Sequence, residues 1–201
     1  MGYAPAQCNL GICYEKGNGV PHSYIKAVEF YRKAADQEYA PAQSYLGWCY
    51  EGGNGVPLSI PKAIEYYRKA AKQGYASAQG TLGFCYRNGN GVEKSIDTAF
   101  EWFSKAAAQG NPFAQYNMGE CYESGKGASQ DMDKALEWYQ KSAESGYAPA
   151  QNYMGMCYEN GKGVPKNLLA AYDWYNSAAV QGYVVAQHNR DNLKQRSDEK
   201  K

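Results

Sequence analysis

The sequence predicts an all-α chain: five 36-residue helix–turn–helix repeats followed by a C-terminal capping helix. Two observations carry that expectation. First, short motifs recur on one clock without a slip. Ala-Gln falls at 6/7, 42/43, 78/79, 114/115, 150/151 and 186/187, Cys-Tyr at 13/14, 49/50, 85/86, 121/122 and 157/158, and Gly-x-Gly at 17/19, 53/55, 89/91, 125/127 and 161/163. Self-similarity at such a period marks stacked supersecondary units. Second, the apolar spacing within each unit is helical twice over. In the second unit Ala42, Leu46, Cys49 and Tyr50 fall at i, i+4, i+7 and i+8, and after a loop Ala63, Tyr66, Tyr67, Ala70 and Ala71 trace a second stripe.

The units run 3–38, 39–74, 75–110, 111–146 and 147–182, with a cap at 183–196, a single solenoid over 1–196 and a frayed tail at 197–201. In unit two, helix A spans about Pro41 to Glu51 and helix B about Ile60 to Gln73. The Gly-x-Gly-Val loop joins them with residues that take positive φ at no Cβ cost. Helix B is preceded by Ser23, Ser59, Ser95, Asp131 and Asn167, all able to accept a hydrogen bond from an orphan N–H. Gly74, Gly110, Gly146 and Gly182 follow it at the left-handed stop position, where the first unit has Glu38. Glu29/Lys33, Glu65/Lys69, Glu101/Lys105 and Glu137/Lys141 are spaced as i, i+4 ion pairs on helix B. Gly47, Ala63 and their equivalents let the helices approach closely, and stacking is obligatory because one hairpin cannot bury its own faces. After residue 182 the pattern opens another helix A but places His188, Asn189, Arg190 and Asp191 in it, the polar face of a terminal cap.

Composition excludes several function classes. With 21 basic and 20 acidic residues the chain has no bulk charge for nucleic acid or a membrane surface. Its apolar runs are far shorter than the roughly 20 residues of a spanning helix. The N-terminus lacks the basic and apolar regions of a signal peptide; Cys13, Cys49, Cys85, Cys121 and Cys157, one per repeat, are too far apart to bridge, and Cys8 and Cys13 lie five apart on one helix and point to different sides. Free thiols and no leader give the expectation of a cytoplasmic protein. The two histidines, His22 and His188, assemble neither a triad nor a metal cluster, and the Gly-x-Gly loops lack the Gly-Lys-Ser/Thr of a phosphate cradle. No catalytic residue, cofactor or metal is expected.

The pattern "AQ..LG..Y..G.GV....KA..WY.KAA.QG" resembles the Sel1-like repeat, a relative of the tetratricopeptide repeat, over residues 2 to 187. The tetratricopeptide repeat shares the Leu-Gly, Tyr and Ala positions but is two residues shorter. The resemblance implies a right-handed superhelix of antiparallel helix pairs with the A helices on its concave side, and adaptor or scaffold work. A secreted branch of the family joins its helices by disulfides near the Ala35 and Gln43 classes of position, which hold no cysteine here.

By the same resemblance the concave side maps onto Pro41, Ser44, Trp48 and Glu51 and their equivalents. Down the array one series reads Ile12, Trp48, Phe84, Glu120 and Met156, large and mostly apolar where a solvent-facing stripe is ordinarily polar. Another reads Glu15, Glu51, Arg87, Glu123 and Glu159. Phe113, Tyr116, Tyr45 and Tyr153 add aromatic area. Together they describe an aromatic trough with an acidic edge, suited to a protein or peptide segment carrying apolar anchors and some positive charge. Packing of Trp48, Phe84 and Met156 between repeats is the competing reading. The expected function is a non-enzymatic adaptor or scaffold. The alternatives are a structural array that self-associates end to end and, more remotely, a hydrolase-like enzyme.

Overall fold

The protein is described here by a computed structural model covering residues 2–198. The described residues form helices and no strands: α1 (Ala4–Lys16), α2 (Tyr24–Ala35), α3 (Ala40–Gly52), α4 (Ile60–Lys72), α5 (Ala76–Asn88), α6 (Ile96–Ala108), α7 (Pro112–Ser124), α8 (Met132–Glu144), α9 (Ala148–Asn160), α10 (Leu168–Ala179) and α11 (Val184–Asp198). Helix A of each repeat is the odd-numbered member and helix B the even one. Of the expected tail, Ser197 and Asp198 belong to α11, and residues 199–201 lie outside the described residues. Two compact units, 1–105 and 106–201, divide within α6.

Each helix A is set by its ends. Proline occupies the first turn of α1, α3, α7 and α9, where its missing N–H costs nothing. A left-handed glycine stops it; Gly53 has φ 69 and its N–H returns to the Cys49 carbonyl. The loop then closes identically in all five repeats. The N–H of Ser23, Ser59, Ser95, Asp131 and Asn167 donates at 2.9 Å to the carbonyl of the preceding Cys-Tyr tyrosine. Four of these five residues also cap helix B with their side chains. Ser59 does not; Pro61, two residues on, presets the first turn and removes one of the donors a cap would serve. After helix B, Glu38 takes the left-handed conformation (φ 60) that glycine takes in the other repeats, and it is the only non-glycine residue to do so among those described.

Within unit 1, Ala42, Leu46 and Cys49 of α3 and Ala78, Leu82 and Cys85 of α5 are buried with Ala27, Tyr31, Ala63 and Tyr67 of the B helices. In unit 2, Ala150, Met154 and Cys157 of α9 do the same with Ala135 and Tyr139. Burying each leucine or methionine is worth about 1.5–3 kcal/mol. In α1 the equivalent Ala6 and Leu10 are exposed and Cys13 is half-buried.

Two sequence motifs acquire a physical cause. The Leu-Gly glycine is the seat of an aromatic ring. A Cβ on Gly47 would come within 2.6 Å of the Tyr67 ring, and Gly11, Gly83, Gly119 and Gly155 meet Tyr31, Phe103, Tyr139 and Tyr175 in the same way. The Ala-Gln glutamine stitches repeats together. Gln79 and Gln151 donate to the carbonyls of Ala71 and Ala143 on the preceding helix B, while Gln43 and Gln151 accept from Gln73 and Gln181 at 2.8 Å.

The loop is more than the connector expected from its composition. A Cβ on Gly55 would strike the Tyr24 backbone at 2.5 Å, and those on Gly91 and Gly163 would strike Ile60 and Leu136. In these three repeats the second glycine therefore seats the loop on the helix B before it. On the outer face, Glu29/Lys33 and Glu65/Lys69 close at 2.6 Å as expected. Lys105 and Lys141 lie over Trp102 and Trp138 at 4.6 and 4.5 Å, where an indole face attracts the ammonium.

Candidate partner-binding surface

The expected surface residues fall into two groups by what holds them. The acidic series is tied into the hairpins. Tyr67 Oη donates to Glu51 Oε2 at 2.6 Å, and Tyr31 to Glu15, Tyr139 to Glu123 and Tyr175 to Glu159 repeat that bond. Burial, reinforced by the neighbouring carboxylate, pushes these four tyrosines far above their ordinary range, so they remain neutral donors.

Arg87 breaks the series together with a second residue. Its partner in the hairpin is Phe103, the one member of the Tyr31, Tyr67, Tyr139, Tyr175 series without a hydroxyl, and the guanidinium lies 5.8 Å from that ring and 5.3 Å from Phe84. Carboxylate with phenol has been exchanged for guanidinium with phenyl, a pair that keeps the interhelical contact by a different interaction.

Glu123 gathers donors from two repeats. It accepts from Tyr139 at 2.7 Å and from Tyr153 at 2.6 Å, and it pairs with Lys162. Burial works to raise its pKa, but the hydrogen bonds from Lys162, Tyr153 and Tyr139 outweigh this and hold it below the usual carboxylate value. Glu159 is likewise lowered against the effect of burial, by Tyr175 and by Arg196 of the capping helix.

The aromatic group is placed differently. Trp48 is 38% exposed and Met156 42% exposed, so neither is enclosed between repeats. Phe84, Ile12 and Glu120 are half-buried, as are Phe113, Tyr116, Tyr45 and Tyr153. In unit 1 the Trp48 ring lies 6.0 Å from Tyr24, which meets His22 edge-on at 4.6 Å, and Tyr45 stacks on Tyr31 at 5.0 Å. In unit 2, Phe113, Tyr116, Tyr147, Tyr139 and Tyr153 are linked ring to ring at 4.1 to 6.3 Å. Burial, with Glu120 nearby, moves Tyr116 up to about 12.

Reading by repeat position misses one feature, a cleft of about 360 Å3 in unit 1. Glu51, Ile60, Ile64, Tyr67, Cys85 and the Gly89–Asn90–Gly91 loop line it. Its signal lies in two substitutions: Thr81 and Asn90 occupy the repeat positions of Tyr153 and Lys162, the residues that close around Glu123.

All six cysteines are free. Burial raises Cys8, Cys85 and Cys157 to about 11 and Cys49 to about 12, which makes them poor nucleophiles at neutral pH. Among the described residues no group of three or more His, Cys, Asp or Glu is arranged to hold a metal, and no helix is long and apolar enough to cross a membrane. His22 and His188 are both exposed.

These features define a tandem helical-hairpin repeat protein in which buried glycines, glutamines and Tyr–Glu bridges fix the hairpins. The Sel1 repeat family model matches residues 4–39, 40–75, 76–111, 112–147 and 148–183, so the chain belongs to the Sel1 repeat family, whose members serve in general as protein-interaction scaffolds. It is similar to a Sel1 repeat protein from Oxalobacter formigenes, at 34% identity over 95% of this chain and 76% of that one, with a TM-score of 0.84. A second similar structure is c5321, a protective antigen present in uropathogenic Escherichia coli strains, at 38% identity, 96% and 41% coverage and a TM-score of 0.79. An immunity protein, Pa5087 of Pseudomonas aeruginosa, matches at 25% identity, 91% and 67% coverage and a TM-score of 0.67. A search of curated protein sequences gave no match.

Proposed function

We propose that this chain is a non-enzymatic interaction module that holds a segment of a partner protein against the exposed positions of its A helices. The observation that supports the reading is the contrast along α3 and α9. Leu46, Cys49, Met154 and Cys157 are buried in the repeat framework, while the large apolar Trp48 and Met156 stay more than a third exposed. A side chain that stacking does not require, and that water does not favour, is suited to anchor a partner. Selection of peptides from a displayed library on the wild-type chain tests it. Binders are expected to lose at least tenfold in affinity to Trp48→Ala or Met156→Ala, with helicity unchanged by circular dichroism. Peptides that bind both variants as tightly as the wild type would remove the anchors from the proposal.

The exposed Ala6 and Leu10 of α1 favour a second reading, in which that face stacks on another helical hairpin. A monomer by light scattering at every accessible concentration would eliminate self-association.

A further inference from the structure

We propose that the cleft beside Glu51 is a binding pocket for a basic side chain, a lysine carried by the partner segment. The inference deepens the interaction role proposed above and rests on it for the identity of the ligand's carrier. The argument comes from comparing the same place in two repeats. In unit 2, Glu123 receives Tyr139 from its own hairpin on one oxygen; Tyr153 and Lys162 of the following repeat reach the other. The Lys162 ammonium also accompanies the Tyr153 hydroxyl at 2.9 Å. At the equivalent carboxylate of the last repeat, Glu159 receives Tyr175 and the guanidinium of Arg196. Both carboxylates are thus completed by a cation from the same chain.

Glu51 is not. Tyr67 donates to its Oε2, and no hydrogen bond reaches Oε1 among the described residues. The position of Lys162 is held by the exposed Asn90, and that of Tyr153 by Thr81, whose hydroxyl turns back to the Ser77 carbonyl at 3.0 Å. What remains is a cleft of about 360 Å3 with Ile60, Ile64 and the Tyr67 ring as walls and the half-buried carboxylate at one side. Apolar walls leading to an anion suit a lysine, whose methylenes pack while its ammonium makes a charge-assisted hydrogen bond. Lys162 is the internal example of that occupant.

The test uses the full chain and two small probes, Nα-acetyl-lysine methylamide and Nα-acetyl-norleucine methylamide, followed by amide chemical shifts. The lysine probe is expected to give saturable shifts at Asn90 and Gly91 at least fivefold larger than norleucine gives. Glu51→Gln, which keeps an acceptor for Tyr67, should abolish the difference. Asn90→Lys should abolish it as well, by placing a resident ammonium in the cleft. Equal responses to the two probes overturn the proposal, as does a lysine response that survives in either folded variant; Asn90→Lys decides alone if Glu51→Gln does not fold. The probes do not depend on Trp48 or Met156. A lysine response without anchor-dependent peptide binding therefore sinks only the partner-segment reading, and the reverse result sinks only the pocket.

Discussion

At the scale of single residues, the informative positions are those where one copy departs from its sisters. Gln115 is buried, and its Oε1 is the one buried side-chain polar atom without a hydrogen-bond partner among those described. The cause is a shorter neighbour: where Gln73 and Gln181 donate to Gln43 and Gln151, the equivalent position opposite Gln115 holds Ser145 in place of glutamine. Ser145→Gln is therefore expected to stabilise the chain by about 1 kcal/mol, read as a shift in urea midpoint at constant slope. Glu123 gives a pH test. Its folded pKa lies below the ordinary 4.5, so its contribution is present above that value and is lost as pH falls through the folded pKa. Glu123→Gln should lower thermal stability at pH 7 by roughly 1–2 kcal/mol, and the gap from wild type should close as pH falls through that lowered pKa. In the sequence Gln115 and Glu123 look like their equivalents in other repeats, and only the donor or acceptor opposite each sets it apart.

At the scale of elements, the helices, their loops and their stops were legible because each is fixed by local chemistry: proline or a cap at the start, glycine at the end, an apolar stripe between. The exchange at Arg87 was not. In the sequence it is a break in an acidic series, while Phe103, a modest change from tyrosine, lies sixteen positions away on the other helix of the hairpin. Only the fold brings the two together. A double-mutant cycle checks that they act as one unit: Arg87→Glu should destabilise, and adding Phe103→Tyr should recover about 1 kcal/mol of the loss by restoring the Tyr–Glu bridge. Additive effects would show that the two changes are unrelated. The surface position of Trp48 was legible by the same repeat logic, since the framework residues identify themselves by recurring. The cleft beside Glu51 was not, because it is made by small residues at two positions from different elements.

At the scale of the molecule, both units bury thiols behind the same packing. Cys49 and Cys85 in unit 1 and Cys157 in unit 2 are buried with raised pKa values. Alkylation at pH 8 is expected to proceed on these at least roughly a hundredfold more slowly than in denaturant, with mass spectrometry resolving each site. Fast native labelling of Cys49 would mean that its interface opens far more readily than nearest-neighbour stacking allows.

The second loop glycine has a consequence for how such a chain can change. Because Gly55 rests on Tyr24, Gly91 on Ile60 and Gly163 on Leu136, the loop sets the distance from one repeat to the last, and its length is a shared dimension rather than spare chain. One residue inserted between Asn54 and Gly55 should lower the melting temperature by several degrees, whereas removing residues 40–75 as a block should leave the helicity per residue unchanged. Length in this architecture comes in quanta. Whole repeats can be gained or lost by duplication and deletion, while the single-residue drift that ordinary loops tolerate is barred.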